Sequence, residues 1–146
     1  MTPNSPQPPA GAPDLTPLQE AFLRERPHAI VATIMSDGRP QLTPNWYLWD
    51  GEKFWVSTLD WTIKVKNAIR DPRVTICVDG DGDRGNYVQA FGRCEVVEGD
   101  VRADTLTLIR KYKPVEADAV AHWEGIKTDR VMMVMRPDRL QWRYDE

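Results

Sequence analysis

The run from His28 to Leu59 constrains the fold of this chain more than any other stretch. "HAIVATIM", "PQLTPNWYLW" and "EKFWVSTL" are rich in β-branched and aromatic residues, and the turn signals "SDGR" and "DG" separate them. Three strands joined by tight turns follow, as an antiparallel meander. Further on, "RVTICVD", "NYVQAFGRCEVVE" and a terminal pair, "DRVMMVMR" and "DRLQWRY", also read as strands. "GDVRADTLTLIRKYK" and "VEADAVAHWEG", between them, have helical character. Six or seven strands with a few peripheral helices predict a mainly β protein, an antiparallel closed or split β-barrel, and argue against a parallel α/β sheet.

One domain suffices for 146 residues. Residues 1–14, "MTPNSPQPPAGAPD", hold too few large apolar groups to offset the entropy of ordering, so they read as a disordered Pro-rich tail before a domain at 15–146. The domain opens on a helix: Thr16 is the N-cap, Pro17 the first helical residue and Gln19 the closing member of a capping box. Leu18, Ala21 and Phe22 fall on one face of it and can cover a sheet.

A formal net charge of -3 gives no basic field for a polyanion, so nucleic acid is not an expected partner. No apolar run reaches the roughly 18 residues that span a bilayer, and no basic segment with an apolar core opens the chain. A cytoplasmic location is the expectation. Cys77 and Cys94 lie in apolar strand-like runs and read as buried small hydrophobes, and a reducing compartment argues against their pairing. "DGDGDRG", Asp79 to Gly85, lacks the glycine and the bidentate glutamate of a calcium loop at the required positions and reads as a solvated hairpin turn. His28 and His122 are the only histidines, so a multi-histidine metal site cannot form within one chain.

Within this acidic chain, "STLDWTIKVKNAIRDP" is locally basic. Asp60 or Thr62 caps a short helix with Trp61, Val65, Ala68 and Ile69 as its buried stripe. Its N-terminus offers unpaired N–H groups and the positive end of a dipole, so Thr62 and Lys64 form a candidate phosphate cradle. Lys66 lies about 200° from Lys64 around the helix, and joins only if the phosphate sits near the helix start. The alternative is a solvated amphipathic helix with its lysines outward. The preceding strands carry Trp46, Tyr47, Trp49 and Trp55, flat side chains that suit a flat cofactor as well as a core. Alternation puts Asn45 and Tyr47 on one face and Pro44 and Trp46 on the other.

"ATIMSDGRPQLTP", "FWVST" followed six residues later by Lys64, "KNAIRDPRVTICV" and "YVQAFGRCEVV" together resemble the pyridoxamine 5'-phosphate oxidase-like split-barrel superfamily of flavin and deazaflavin proteins. The resemblance runs from about Thr16 to Arg143 and implies an FMN-binding type of split barrel, a homodimer with two cofactor sites across its interface. It implies that Thr58 and Lys64 meet the cofactor's phosphate side, with Ser57 adding a contact. Pro44, Asn45, Trp46 and Tyr47 would run along the ring, Tyr87 would occupy a further cofactor position, and Trp142 would close the site of the partner subunit.

Ile63 and Leu42 stand where pyridoxamine phosphate oxidases place arginines, which points away from that reaction. The wording of "GRPQLTP" and "KNAIRDPRV" looks closer to the F420-dependent reductases of the B type. Coenzyme F420 is a deazaflavin whose long anionic tail would give Lys64, Lys66 and Arg70 something to meet. The resemblance therefore implies hydride transfer from reduced F420 to an electron-poor small-molecule substrate, with Tyr47, Tyr87 or a water as proton donor. An FMN oxidoreductase of the same fold, and a non-catalytic flavin, deazaflavin or haem binder using His28 or His122, stand beside it.

Overall fold

A computed structural model describes residues 14–80 and 85–143 of the protein. Residues 1–13 of the Pro-rich tail and 81–84 of the acidic turn lie outside them. The described residues form a seven-stranded antiparallel sheet with four helices. The first helix, α1 (Pro17–Glu25), starts as its sequence dictates: Thr16 Oγ1 accepts from the Gln19 N–H and Gln19 Oε1 from the Thr16 N–H. Phe22 and Leu23 are its buried residues, and Leu18 is exposed, because the sheet meets the helix one position further round than the Leu18–Phe22 face.

The first hairpin, β1 (Ala29–Ile34) with β2 (Pro40–Asn45), forms as expected around Gly38, whose φ of 87° suits a glycine. The second forms only in part, across the Asp50–Gly51 turn. "PQLTPNWYLW" breaks at Trp46 and Tyr47, and only Leu48–Trp49, β3, pairs with β4 (Phe54–Leu59). The order is β2-β1-β5-β6-β7-β4-β3, so β2 and β3 are the two edges of one sheet. The sheet curls into a split barrel, and Trp46–Tyr47 carries the chain from one edge to the other.

After β4, α2 (Ile63–Arg70) leads into β5 (Arg73–Asp79) and β6 (Tyr87–Val97). Helices α3 (Arg102–Tyr112) and α4 (Glu116–Ile126) follow, then β7 (Arg130–Arg143). The two terminal strands read from the sequence are one 14-residue strand. Pro137 does not end it, because a register shift opposite Phe91/Gly92 absorbs the extra residue, Asp138, as a bulge. A Cβ on Gly92 would lie 2.5 Å from the Arg136 carbonyl oxygen, so only glycine fits opposite the bulge.

Two cores share β7. Val131, Met133 and Met135 point into the barrel with Val31, Phe54, Val56 and Ile76, and α1 and α2 add Phe22 and Val65. Met132 and Val134 point the other way, under Leu106, Ile109 and Trp123 of α3 and α4. Five consecutive buried residues, Val131 to Met135, thus line two compartments. Cys77 and Cys94 are free. No helix among the described residues is long and apolar enough to cross a membrane.

Candidate functional site

Strand β4 and helix α2 meet where the sequence places its basic stretch. Thr62 is the N-cap of α2, but its hydroxyl donates to the Leu59 carbonyl at 2.9 Å and caps no helical N–H. The Thr58 hydroxyl, almost fully buried, lies 3.5 Å from that of Thr62. Val65 and Ala68 face the core as expected. Trp61 and Ile69 do not: they are 59% and 64% exposed, and Asn67 takes the buried place. Eight residues make little more than two turns, and α2 rests on β1 and β6 along Val65, Asn67 and Ala68.

One turn into α2, Lys64 reaches across the open side of the barrel. Its Nζ donates to Asn45 Oδ1 at 2.6 Å, and Asn45 Nδ2 in turn donates to the carbonyl and hydroxyl oxygens of Thr43 at 2.7 and 3.0 Å. Gln41, Thr43, Trp61, Thr62, Ile63 and Lys64 line a groove of about 330 Å³. Ile63 makes its wall apolar where the oxidase pattern would have placed a charge.

Arg130, which the sequence gave no reason to single out, completes the arrangement. β7 pairs with β4 so that Arg130 lies opposite Leu59, and the Asp60 N–H donates to the Asp129 carbonyl at 2.8 Å. Arg130 Nη1 donates to Ser57 Oγ at 3.4 Å and Nε to the Ile126 carbonyl at 2.7 Å. Burial, and then the Arg130 charge, hold the Lys64 ammonium below its ordinary pKa; burial lowers that of Arg130. Both are half-buried cations, and among the described residues neither has a carboxylate partner. Two half-buried cations with only neutral partners among the described residues make this a candidate site for an anion.

The other residues picked from the sequence fall elsewhere. Tyr47 is fully buried, its hydroxyl donates to the Leu23 carbonyl, and burial raises its pKa. That hydroxyl is committed to the core. The Trp46 ring stacks on Tyr112 at 4.2 Å and on His122 at 5.2 Å, so it belongs to the α3–α4 side. Lys66 is exposed on another face of α2, and Pro44 borders a separate cavity of about 270 Å³ with His28 and Asp79. Tyr87 and Trp142 sit at the far end of the β6–β7 ladder. Thr58 is level with Val131, and Trp142 is eleven residues further on, roughly 36 Å at about 3.3 Å per residue. Within one subunit, Asn45, Thr58, Thr62 and Lys64 come together, with Ser57 joined through Arg130.

A second cluster joins the Trp46–Tyr47 link to α3. Lys111 Nζ donates to the Arg26 and Tyr47 carbonyls at 2.7 and 3.1 Å and lies 3.7 Å from the Tyr47 ring centre. The Tyr112 hydroxyl accepts from the Tyr47 N–H at 2.9 Å and donates to the Pro27 carbonyl at 2.8 Å. Burial brings the Lys111 pKa down to about 8 and takes that of Tyr112 up to about 12. These bonds satisfy the backbone where the strand breaks. A larger cavity of about 530 Å³ lies on the outer sheet face beside Thr75, Phe91 and Asp138, away from Lys64. Two arginines line it: Arg73, which is paired with Asp71, and Arg93.

Residues 15–143 match the family described as Pyridoxamine 5'-phosphate oxidase. A solved structure named F420 Reductase is 28% identical, with a TM-score of 0.67, covering 83% of this chain and 94% of that one. Rv2991, a conserved hypothetical protein of Mycobacterium tuberculosis, is 23% identical with a TM-score of 0.76, over 94% and 89% of the two chains. HutZ, a haem storage protein of Vibrio cholerae, is 17% identical with a TM-score of 0.68, over 87% and 93%. The last two likenesses bear on the fold alone.

Proposed function

The chain belongs to the pyridoxamine 5'-phosphate oxidase family, in its split-barrel form, and from that premise we propose that it is an F420-dependent reductase. The observation that carries the reading is the pair Lys64 and Arg130, two half-buried cations with neutral partners beside the hydroxyls of Ser57, Thr58 and Thr62. A phosphate-bearing anionic cofactor fits that donor set. The likeness to the F420 Reductase favours a deazaflavin over FMN.

The chemistry supplied by bound reduced F420 is hydride donation to an electron-poor organic substrate. The chain's own residues bind and orient. Lys64 and Arg130 neutralise the anionic end, Thr62 and Thr58 offer hydroxyls, and Asn45 fixes the lysine head. Trp61 and Ile63 give the groove an apolar wall. Tyr47 does not serve as proton donor, because its hydroxyl is tied to Leu23. The substrate's proton comes from another group, with Tyr87 and water as the candidates that remain.

The reading includes a homodimer. Leu42, Ile30, Ala32 and Phe91 put apolar groups on the outer sheet face, with Leu42 61% exposed. A second copy on that face would cover them and allow Trp142 of one subunit to approach the groove of the other. The experiment is a titration of the dialysed protein with F420 and with FMN, followed by tryptophan fluorescence. Tighter F420 binding supports the reductase; tight FMN binding alone makes it a flavin oxidoreductase. Binding of neither removes the cofactor reading.

A further inference from the structure

A chain of side-chain hydrogen bonds runs from the back of α2 to the floor of the groove. Arg70 Nη2 donates to Asn67 Oδ1 at 3.1 Å and also to the Ile34 carbonyl. A guanidinium can only donate, so this contact commits the Asn67 oxygen and turns its amide nitrogen inward. Asn67 Nδ2 donates to Thr33 Oγ1 at 3.1 Å. Asn67 is 3% exposed and Thr33 is fully buried. Having accepted from Asn67, the fully buried Thr33 hydroxyl places its own proton on the neighbouring acceptor. That acceptor is Gln41 Oε1, at 3.2 Å.

The direction of every bond is thereby fixed from one end. Gln41 has its oxygen committed to Thr33, and its Nε2 is the polar atom left for the groove that it lines with Lys64. We infer that Gln41 determines ligand specificity in this groove: it donates to an acceptor oxygen, a carbonyl or phosphate oxygen, and Arg70, Asn67 and Thr33 are the positioning residues that keep it a donor. The buried amides and hydroxyl, aligned head to tail, polarise one another and bring positive potential to the groove without a further charge. The inference rests on the reading of this groove as the cofactor site.

The test uses the full chain, with F420 and FMN as probes and tryptophan fluorescence as the readout. Gln41→Glu keeps the shape but replaces the donor by an anionic acceptor, and should weaken the probe that binds the native protein by more than tenfold. Gln41→Leu should weaken it by about fivefold to tenfold. Thr33→Val exchanges the hydroxyl for a methyl group of similar size and should cost nearly as much as Gln41→Leu, whereas Thr33→Ser should restore binding. The Thr33→Val, Gln41→Leu double variant should bind no more weakly than Gln41→Leu alone, since both changes break one device.

Native affinity in Thr33→Val and Gln41→Glu, with Lys64→Ala still weakened, would overturn the inference and leave the cofactor reading standing. If Lys64→Ala is unchanged, or neither probe binds, the cofactor reading fails, and the orientation of Gln41 is read directly in the unliganded protein. There the side-chain amide signals of Gln41 in a proton–nitrogen spectrum should move on Thr33→Val and stay on Thr33→Ser. Signals that ignore Thr33→Val would show that the chain does not hold Gln41.

Discussion

Lys64 Nζ donates to Asn45 Oδ1 at 2.6 Å, and this contact joins the start of α2 to the edge strand β2 across the open side of the barrel. The lysine is therefore held before any ligand arrives. An ammonium fixed in advance loses little freedom on meeting an anion, which favours binding.

Lys64→Ala should weaken F420 binding by at least tenfold, about 1.4 kcal/mol. The pH dependence carries a second signature. Lys64 titrates below its ordinary value of 10.5 in the free protein, and an anion beside it would raise that value again. Binding then takes up a proton at alkaline pH, so affinity should fall as pH climbs through the free Lys64 pKa. Titrations across that range should show the fall in the native protein and a later one in Lys64→Arg.

Arg130→Gln should lower affinity roughly fivefold, about 1 kcal/mol, by removing a charge that, among the described residues, bonds to Ser57 and the Ile126 carbonyl. The salt dependence of the dissociation constant should become shallower, because fewer charges meet the anion. Equal affinity in low and high salt for both proteins would remove Arg130 from the site.

Leu42→Glu should shift the proposed dimer towards monomer by placing a carboxylate on the apolar outer face. Sedimentation at several protein concentrations checks this. A native protein that is monomeric throughout would end the two-subunit description of the site.

Gly92→Ala should destabilise the fold by about 2–3 kcal/mol, since its Cβ would meet the Arg136 oxygen at 2.5 Å and the Met135 sulfur at 2.7 Å. A Tm lowered by roughly 5–10 °C in a thermal melt is the expected outcome. Gly99→Ala is a useful contrast, because nothing lies within 4 Å of a Cβ there and only its φ of 91° resists.

Lys111 should make stability rise with pH in one window. In the folded protein it loses its proton near pH 8, whereas the unfolded chain holds it to about 10.5. Between those values the unfolded state binds more protons, so folding gains as pH rises. Urea unfolding at pH 7 and pH 9.5 should show the native protein gaining on Lys111→Gln, by less than the full shift implies because water still reaches this half-buried amine.

What the sequence made legible was local. The Thr16–Gln19 box, the Gly38 turn and the alternation of β1 and β5 are dictated by residues within a few positions of one another. The break at Trp46–Tyr47 is not, since its cause lies 65 residues away in the bond from the Tyr47 N–H to the Tyr112 hydroxyl. The role of Arg130 is illegible in the sequence for the same reason: only the pairing of β4 with β7 brings it to Ser57, 73 residues earlier. The Thr58, Thr62 and Lys64 spacing could be read because strand, turn and helix are consecutive. Gln41 carried no signal, as its role depends on a bond to Thr33 from the neighbouring strand.

The five residues from Val131 to Met135 face alternately into two cores, so this part of the strand is a party wall with no outside surface. Neither compartment can open without baring the back of the other. The barrel and its α3–α4 cover should therefore lose amide protection together in hydrogen exchange, as one cooperative unit. A substitution at Met132, beneath the helices, should be felt inside the barrel at Met133, although the two side chains point away from each other.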